Sequence, residues 1–147
     1  MVKRTRFDET ACPVARSVDA VGDWWSLLIV RDAFDGSRRF GEFQRGLGVA
    51  KNILTTRLRS LVENGILEVT PASDGSAYSE YVLTAKGEAL FPVIVALRQW
   101  GEAFAFAPGE AHSELLDRRD EQPLAPVRIT AIDGRPITPA DTFVRKA

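Results

Sequence analysis

Apolar residues recur at helical spacing through most of the first hundred positions, and only the stretch around Val69 to Val82 has strand character. Cys12 to Val21 reads as a short helix opened by Pro13, which suits a first helical turn, and Gly22 ends it. Asp23 then caps a second helix, Trp24 to about Phe34, with Trp25, Leu28, Ile29 and Ala33 on one side. Asp35-Gly36 is a turn signal and leaves Ser37 to Arg39 only a short extended piece. Phe40 to Leu47 supplies a short third helix, closed by the tight turn that Gly46 and Gly48 mark. A fourth helix follows over roughly Ala50 to Asn64, with Leu54, Leu58, Leu61 and Val62 inward and Gly65 as its stop.

Beyond it, Ile66 to Thr70 and Ala77 to Leu83 flank the polar turn Ala72 to Ser76, which predicts a β-hairpin. Thr84 caps a long helix expected over Ala85 to Ala105, in which Pro92 should introduce a kink or start a new turn. After Pro108 the pattern loses its period. An acidic segment leads to Asp133-Gly134 between apolar residues, a hairpin signal whose second arm Pro136 demotes to an edge. The expected organisation is a compact domain over residues 1–107 and a C-terminal extension over 108–147 carrying a small hairpin. The fold class is mainly α with a small β-wing (α+β).

Composition narrows the function. Apolar residues make up 45% and charged residues 27% of 147, the balance of a globular chain able to bury a core. The start MVKRTRFDET lacks the apolar run of a secretory signal, and no apolar run approaches a membrane span. A cytoplasmic protein with no membrane partner is expected. With one cysteine, Cys12, and one histidine, His112, the chain offers neither a disulfide framework nor a Cys/His zinc cluster, and no cofactor is expected. No Ser/His/Asp set and no Gly-rich phosphate loop is present, so an enzyme is not expected.

Net charge is only −1, but its distribution is uneven. Between Gly36 and Leu61, Arg38, Arg39, Arg45, Lys51, Arg57 and Arg59 face Glu42 alone, whereas residues 110–121 carry five acids against two arginines. A basic centre of this kind is what phosphate binding needs.

The order of elements gives the basic centre a role. Two helices joined by a tight Gly turn form a helix-turn-helix, and a hairpin directly after the second supplies a wing. The second helix of such a motif enters the DNA major groove. With Leu54 and Leu58 inward, Asn52, Thr55, Thr56 and Arg59 point outward. Asn pairs with adenine, Arg with guanine, and Thr offers a hydroxyl or a methyl. Lys51 at the helix start suits a phosphate. Arg38 and Arg39 head the basic stretch and join the candidates. Arg57 sits at the edge of the buried face, open to a structural pairing with Glu42 or a carbonyl, or to a phosphate. At the wing tip Gly75 and Ser76 can approach a phosphate, although Asp74 opposes it, and a plain exposed turn is the alternative.

Several motifs then carry a resemblance: C-P-V at Cys12, W-x-x-L-I-x-R from Trp25 to Arg31 and R-R-F-G-E-F from Arg38 to Phe43. They continue with L-T-T-R-L-R-S-L-x-x-N-G-I-L from Leu54 to Leu67, Y-x-L-T-x-K-G from Tyr81 to Gly87, and L-R-Q-W-G from Leu97 to Gly101. In this order the chain resembles the HxlR-type winged-helix transcriptional regulators, relatives of the MarR group. The resemblance implies a homodimer built from the N-terminal and long C-terminal helices, bound to an inverted-repeat operator, with repression the expected sign. It also raises oxidant sensing at Cys12, since some relatives use a cysteine at this position. A buried, structural thiol is the alternative. Some relatives carry cysteines for a metal ribbon in the C-terminal extension; here residues 112–141 have none.

The sequence supports dimerisation independently. The face of Leu90, Ile94, Leu97, Trp100 and Phe104 is wide for a helix covering one small core, and a two-fold partner would bury it. An intrachain core helix is the alternative. A small-molecule or oxidant effector stays open, with any pocket expected near Trp24, Trp25 and Trp100. Against the DNA-binding reading stands a winged-helix module for protein–protein contacts, which would call for a more apolar, less basic fourth helix.

Overall fold

The computed structural model describes residues 6–147 and divides into two compact units, the first extending through Phe91 and the second running from Pro92 to Ala147. The first unit contains helices α1 (Pro13–Val21), α2 (Trp24–Phe34), α3 (Phe40–Leu47) and α4 (Lys51–Glu63). An antiparallel hairpin of β1 (Leu67–Pro71) and β2 (Ser79–Leu83) and a single turn, α5 (Ala85–Glu88), complete it. This is the winged helix-turn-helix arrangement that the order of elements predicts.

The core of the unit is built from one face of each helix. Ile29 and Val30 of α2, Phe43 of α3, and Leu54, Leu58 and Leu61 of α4 are buried, together with Leu67 of β1. Full burial of a side chain of this size contributes about 1.5–3 kcal/mol, so the three α4 leucines dominate what holds that helix to its domain.

Caps define where each helix starts. Asp23 accepts the Ser26 N–H at 3.1 Å to open α2. Glu42 reaches back to the N–H groups of Arg38 (3.1 Å) and Arg39 (2.8 Å) to open α3. Gly48, at φ 62°, closes α3, and only Val49 and Ala50 separate it from α4. Behind α4, Gly65 at φ 72° lets the chain reverse. Its N–H reaches the Val62 carbonyl, and that of Ile66 reaches Leu61, a Schellman closure with Leu61 and Ile66 both buried.

The turn after α4 is also where α5 attaches. Thr84 donates its hydroxyl to the Gly65 carbonyl and accepts the Gly87 N–H at 3.0 Å, and Lys86 Nζ donates to the Asn64 carbonyl at 2.6 Å. Gly87 is buried against the Ile66 carbonyl, which a Cβ would meet at 2.2 Å. The T-x-K-G segment is thus a clasp on the end of the fourth helix.

The long helix expected over Ala85 to Ala105 is two helices. It breaks at Ala89-Leu90, and α6 (Phe91–Phe104) begins with Pro92 in its first turn, where a missing N–H costs nothing. Leu90 therefore lies in the break and not on α6.

All of α6 but its first residue belongs to the second unit. Here Gln99 donates to the Ala125 carbonyl (3.1 Å) and accepts the Val127 N–H (2.7 Å), while Arg98 donates to Ser113. Asp133-Gly134 forms the expected turn, but only an isolated bridge, Thr130 with Pro136, joins the two arms. Two backbone hydrogen bonds flank the bridge, from the Ala131 N–H to the Arg135 carbonyl (2.8 Å) and from the Ile137 N–H to the Ile129 carbonyl (3.0 Å), so Pro136 leaves neither unmade. Val95 is the buried apolar residue of this unit, whereas Leu97, Trp100, Phe104, Ile129, Phe143 and Val144 are exposed. Among the described residues no helix is long and apolar enough to cross a membrane.

Candidate nucleic-acid interface

The outward face of α4 follows the helical projection. Asn52, Thr55, Thr56 and Arg59 are exposed on the side away from Leu54, Leu58 and Leu61, and Lys51 is exposed at the start of the helix. The hydroxyls of Thr55 and Thr56 donate back to the carbonyls of Lys51 (2.8 Å) and Asn52 (2.9 Å). Each hydroxyl proton is thus committed to the helix's own backbone. Lys51, the first helical residue, sits beside unsatisfied N–H groups of the first turn, where an anion is favoured.

The remaining basic candidates are paired. Arg57 Nε lies 3.1 Å from Oδ1 of Asp23, an ion pair without hydrogen-bond alignment. Its partner is the cap of α2 and not Glu42, because Glu42 is already committed to the Arg38 and Arg39 N–H groups. Arg38 is ion-paired through Nε to Glu80 on β2. Glu80 is only 2% exposed and also accepts the N–H and hydroxyl of Ser73, at 2.7 and 2.9 Å. These bonds hold its carboxyl below the usual range, the Ser73 N–H first and Arg38 next. The Arg38 carbonyl in turn accepts the Tyr81 N–H at 2.7 Å, so the head of α3 is stitched to the wing.

Arg39 reaches the wing tip. It is hydrogen-bonded and ion-paired to Asp74, lies 3.4 Å from the Ser76 hydroxyl, and has its guanidinium carbon 5.3 Å from the centroid of the Tyr78 ring. The Ser76 N–H, followed by Arg39, depresses the Asp74 carboxyl to about 2. Asp74 thus faces a cation of its own chain. Gly75, at φ 76°, and Ser76 form the exposed end of the wing.

Two residues escape the sequence reading. Glu80 reads as an ordinary strand acid, and only its register opposite Thr70 places it under the wing. Tyr78 reads as a strand aromatic, yet it is exposed and carries Arg39. Arg45, counted in the basic stretch but not singled out, is exposed on α3 and borders the cleft with Arg39, Tyr78 and Tyr81.

Cys12 is the N-cap of α1. Its Sγ accepts the Ala15 N–H at 3.4 Å, a structural role at the start of the helix, and the residue is exposed. On α6, Leu97, Trp100 and Phe104 are 49%, 64% and 73% exposed, with the last two rings 5.5 Å apart. Ile94 is half-buried.

A helix-turn-helix whose second helix exposes no acid between Lys51 and Arg59, with an adjoining wing, is the architecture of transcription regulators of the winged-helix, MarR-like type. The HxlR-like helix-turn-helix model matches residues 20–107, and the chain belongs to that family. It is 45% identical over 95 residues to an HTH-type transcriptional regulator of Mycobacterium tuberculosis, covering 65% of this chain and 60% of the length of that relative. The crystal structure of PA1607, a candidate transcription factor, superposes with a TM-score of 0.90 at 54% identity, covering 95% of this chain and 98% of that one. The reduced form of the redox regulator HypR superposes with a TM-score of 0.57 at 31% identity, over 63% of this chain and 92% of the other.

Proposed function

We propose that the protein is a sequence-specific, double-stranded-DNA-binding transcription regulator. It acts in the cytoplasm as a homodimer on an inverted-repeat operator, with repression as its sign. The observation that carries this reading is the α4 face, where Lys51, Asn52, Thr55, Thr56 and Arg59 are exposed with no acid among them. Asn52 and Arg59 carry the side-chain types that read adenine and guanine edges, and Lys51 meets a phosphate at the helix start. Arg38 and Arg57 act through the fold, by fixing the wing and α4.

The dimer reading draws on the exposed Leu97, Trp100 and Phe104 of α6, with the half-buried Ile94 on the same helix. A two-fold partner would cover this face, and a homodimer carries two α4 helices for the two half-sites of an inverted repeat. Similarity to a redox regulator, together with the exposed Cys12, supports an oxidant as effector. If Cys12→Ser protein still lost its operator under diamide, thiol sensing would be wrong.

The decisive experiment is selection of bound sites from random duplexes, followed by a salt titration of the best one. A palindromic consensus and an affinity that falls steeply with salt are expected. Binding without sequence preference, or without salt dependence, would overturn the reading.

A further inference from the structure

Arg38 and Arg39 are neighbours in the chain, and each is answered by an acid of the wing, yet the two pairs differ in kind. Glu80 is buried and holds Ser73 as well as Arg38, so breaking that pair would leave a desolvated carboxylate unsatisfied. Asp74 is 56% exposed at its side chain, and its other support is local, from the Ser76 N–H at 3.0 Å. Exposed pairs of this sort are weak, screened by salt and readily exchanged. The guanidinium of Arg39 is meanwhile kept extended over the Tyr78 ring, next to Gly75 and Ser76, the tip residues small enough for a backbone to approach.

We propose that Asp74 is an affinity-limiting residue of the DNA interface whose carboxylate occupies, on Arg39, the place of a DNA phosphate. This rests on the DNA-binding reading above. Phosphate contacts carry affinity without sequence information. A duplex that offers only its backbone must displace Asp74 from Arg39 and leave that carboxylate facing its own phosphates. The gain of one contact is thereby cancelled, and non-specific binding is weakened. On the operator the same exchange costs as much, and base contacts from α4 carry the complex in spite of it. The wing acid that looks unfavourable for a DNA-binding tip thus holds down the affinity for any duplex backbone.

The test is Asp74→Asn in the full chain, with affinities for a selected operator and for a random duplex at four or more salt concentrations. The amide oxygen still accepts the Ser76 N–H, so the turn is preserved. Random-duplex affinity should rise roughly 2–5-fold, the range expected from releasing one exposed pair. The slope of log affinity against log salt should steepen by about 0.9, one more phosphate contact. Operator affinity should rise by at least as much, because that complex makes the same exchange. In the Arg39→Ala background Asp74→Asn should no longer steepen the slope by a full contact, because the cation that would take the phosphate is gone. An unchanged slope, or weaker binding to both duplexes, overturns the proposal. Failure of the wild-type chain to bind any duplex at low salt overturns instead the DNA-binding reading on which it stands.

Discussion

Asp23 and Arg57 join the start of α2 to the middle of α4: Arg57 Nε lies 3.1 Å from Asp23 Oδ1, and that same oxygen accepts the Ser26 N–H. One carboxylate therefore serves as a helix cap and as counter-ion to a residue on the candidate recognition helix. Asp23→Ala removes both functions and should destabilise the fold by about 1–2 kcal/mol, as measured by urea unfolding. Asp23→Asn keeps an oxygen for the cap and should cost less than half as much. Equal losses in the two variants would show that the ion pair, and not the cap, is what matters.

Two glycines should respond in opposite directions to the same methyl group. At Gly87 a Cβ would stand 2.2 Å from the Ile66 carbonyl, a backbone atom fixed by the Schellman turn. Gly87→Ala should therefore separate α5 from the end of α4 and cost about 1–3 kcal/mol. At Gly101, inside α6, nothing lies within 4 Å of the added atom. Gly101→Ala should raise stability by about 0.5–1 kcal/mol through helix propensity. Thermal unfolding of both variants beside wild type decides the matter, and a neutral Gly87→Ala would remove the clasp from the account.

These cases show where the sequence was legible. Periodicity located α1 to α4, and Asp23 and Gly65 were readable as cap and stop because those roles depend on one residue and its immediate neighbours. The hairpin was equally local. What the sequence could not reveal were pairings set by tertiary register. Arg57 had a structural partner, but it lies thirty-four positions away and not in the nearby acid Glu42. Nothing local marks Glu80 for burial, and only the folded wing carries it beneath Ser73 and beside Arg38. The helix over Ala85 to Ala105 was read through Pro92, whereas the chain uses that proline to begin a new helix after a break. Of the candidate site, the α4 face was visible from projection alone. Pairing at Arg38 and Arg39 was hidden because the wing returns to α3 only in three dimensions.

The wing should have its own acid sensitivity. The Ser76 N–H and then Arg39 hold Asp74 at about 2, below its ordinary 3.8, and Ser73 and Arg38 lower Glu80. A carboxylate depressed in the folded state contributes stability that is complete above its unfolded value and is lost as pH falls through the folded one. The wing pairs should therefore be intact above about pH 4, and the Asp74 pair should be lost as pH falls through about 2. A carbon-detected NMR titration of the Asp74 carboxyl should show that low midpoint. In Arg39→Ala it should move upward without reaching the ordinary value, because the Ser76 N–H remains. A wild-type midpoint near 3.8 would mean that the pair does not form in solution.

Lys51 and Arg59 occupy the same exposed face but opposite roles in the proposed complex, and their variants should differ in kind. Neither belongs to the ion pairs that engage Arg38, Arg39 and Arg57, so removing either leaves no buried charge behind. Lys51, at the first turn of α4, supplies charge to a phosphate. Lys51→Ala should weaken operator and random duplex alike and reduce the salt slope by about 0.9 per protomer. Arg59, two turns further along, reaches a base edge. Arg59→Ala should cost about 1–3 kcal/mol on the operator and relax preference at one position of each half-site. Binding to random DNA should change little. Repeating the site selection with each variant separates the two, since only the arginine variant should alter the consensus. If both variants left the consensus intact and shifted the salt slope equally, Arg59 would be a phosphate contact and base reading would fall to Asn52, Thr55 and Thr56.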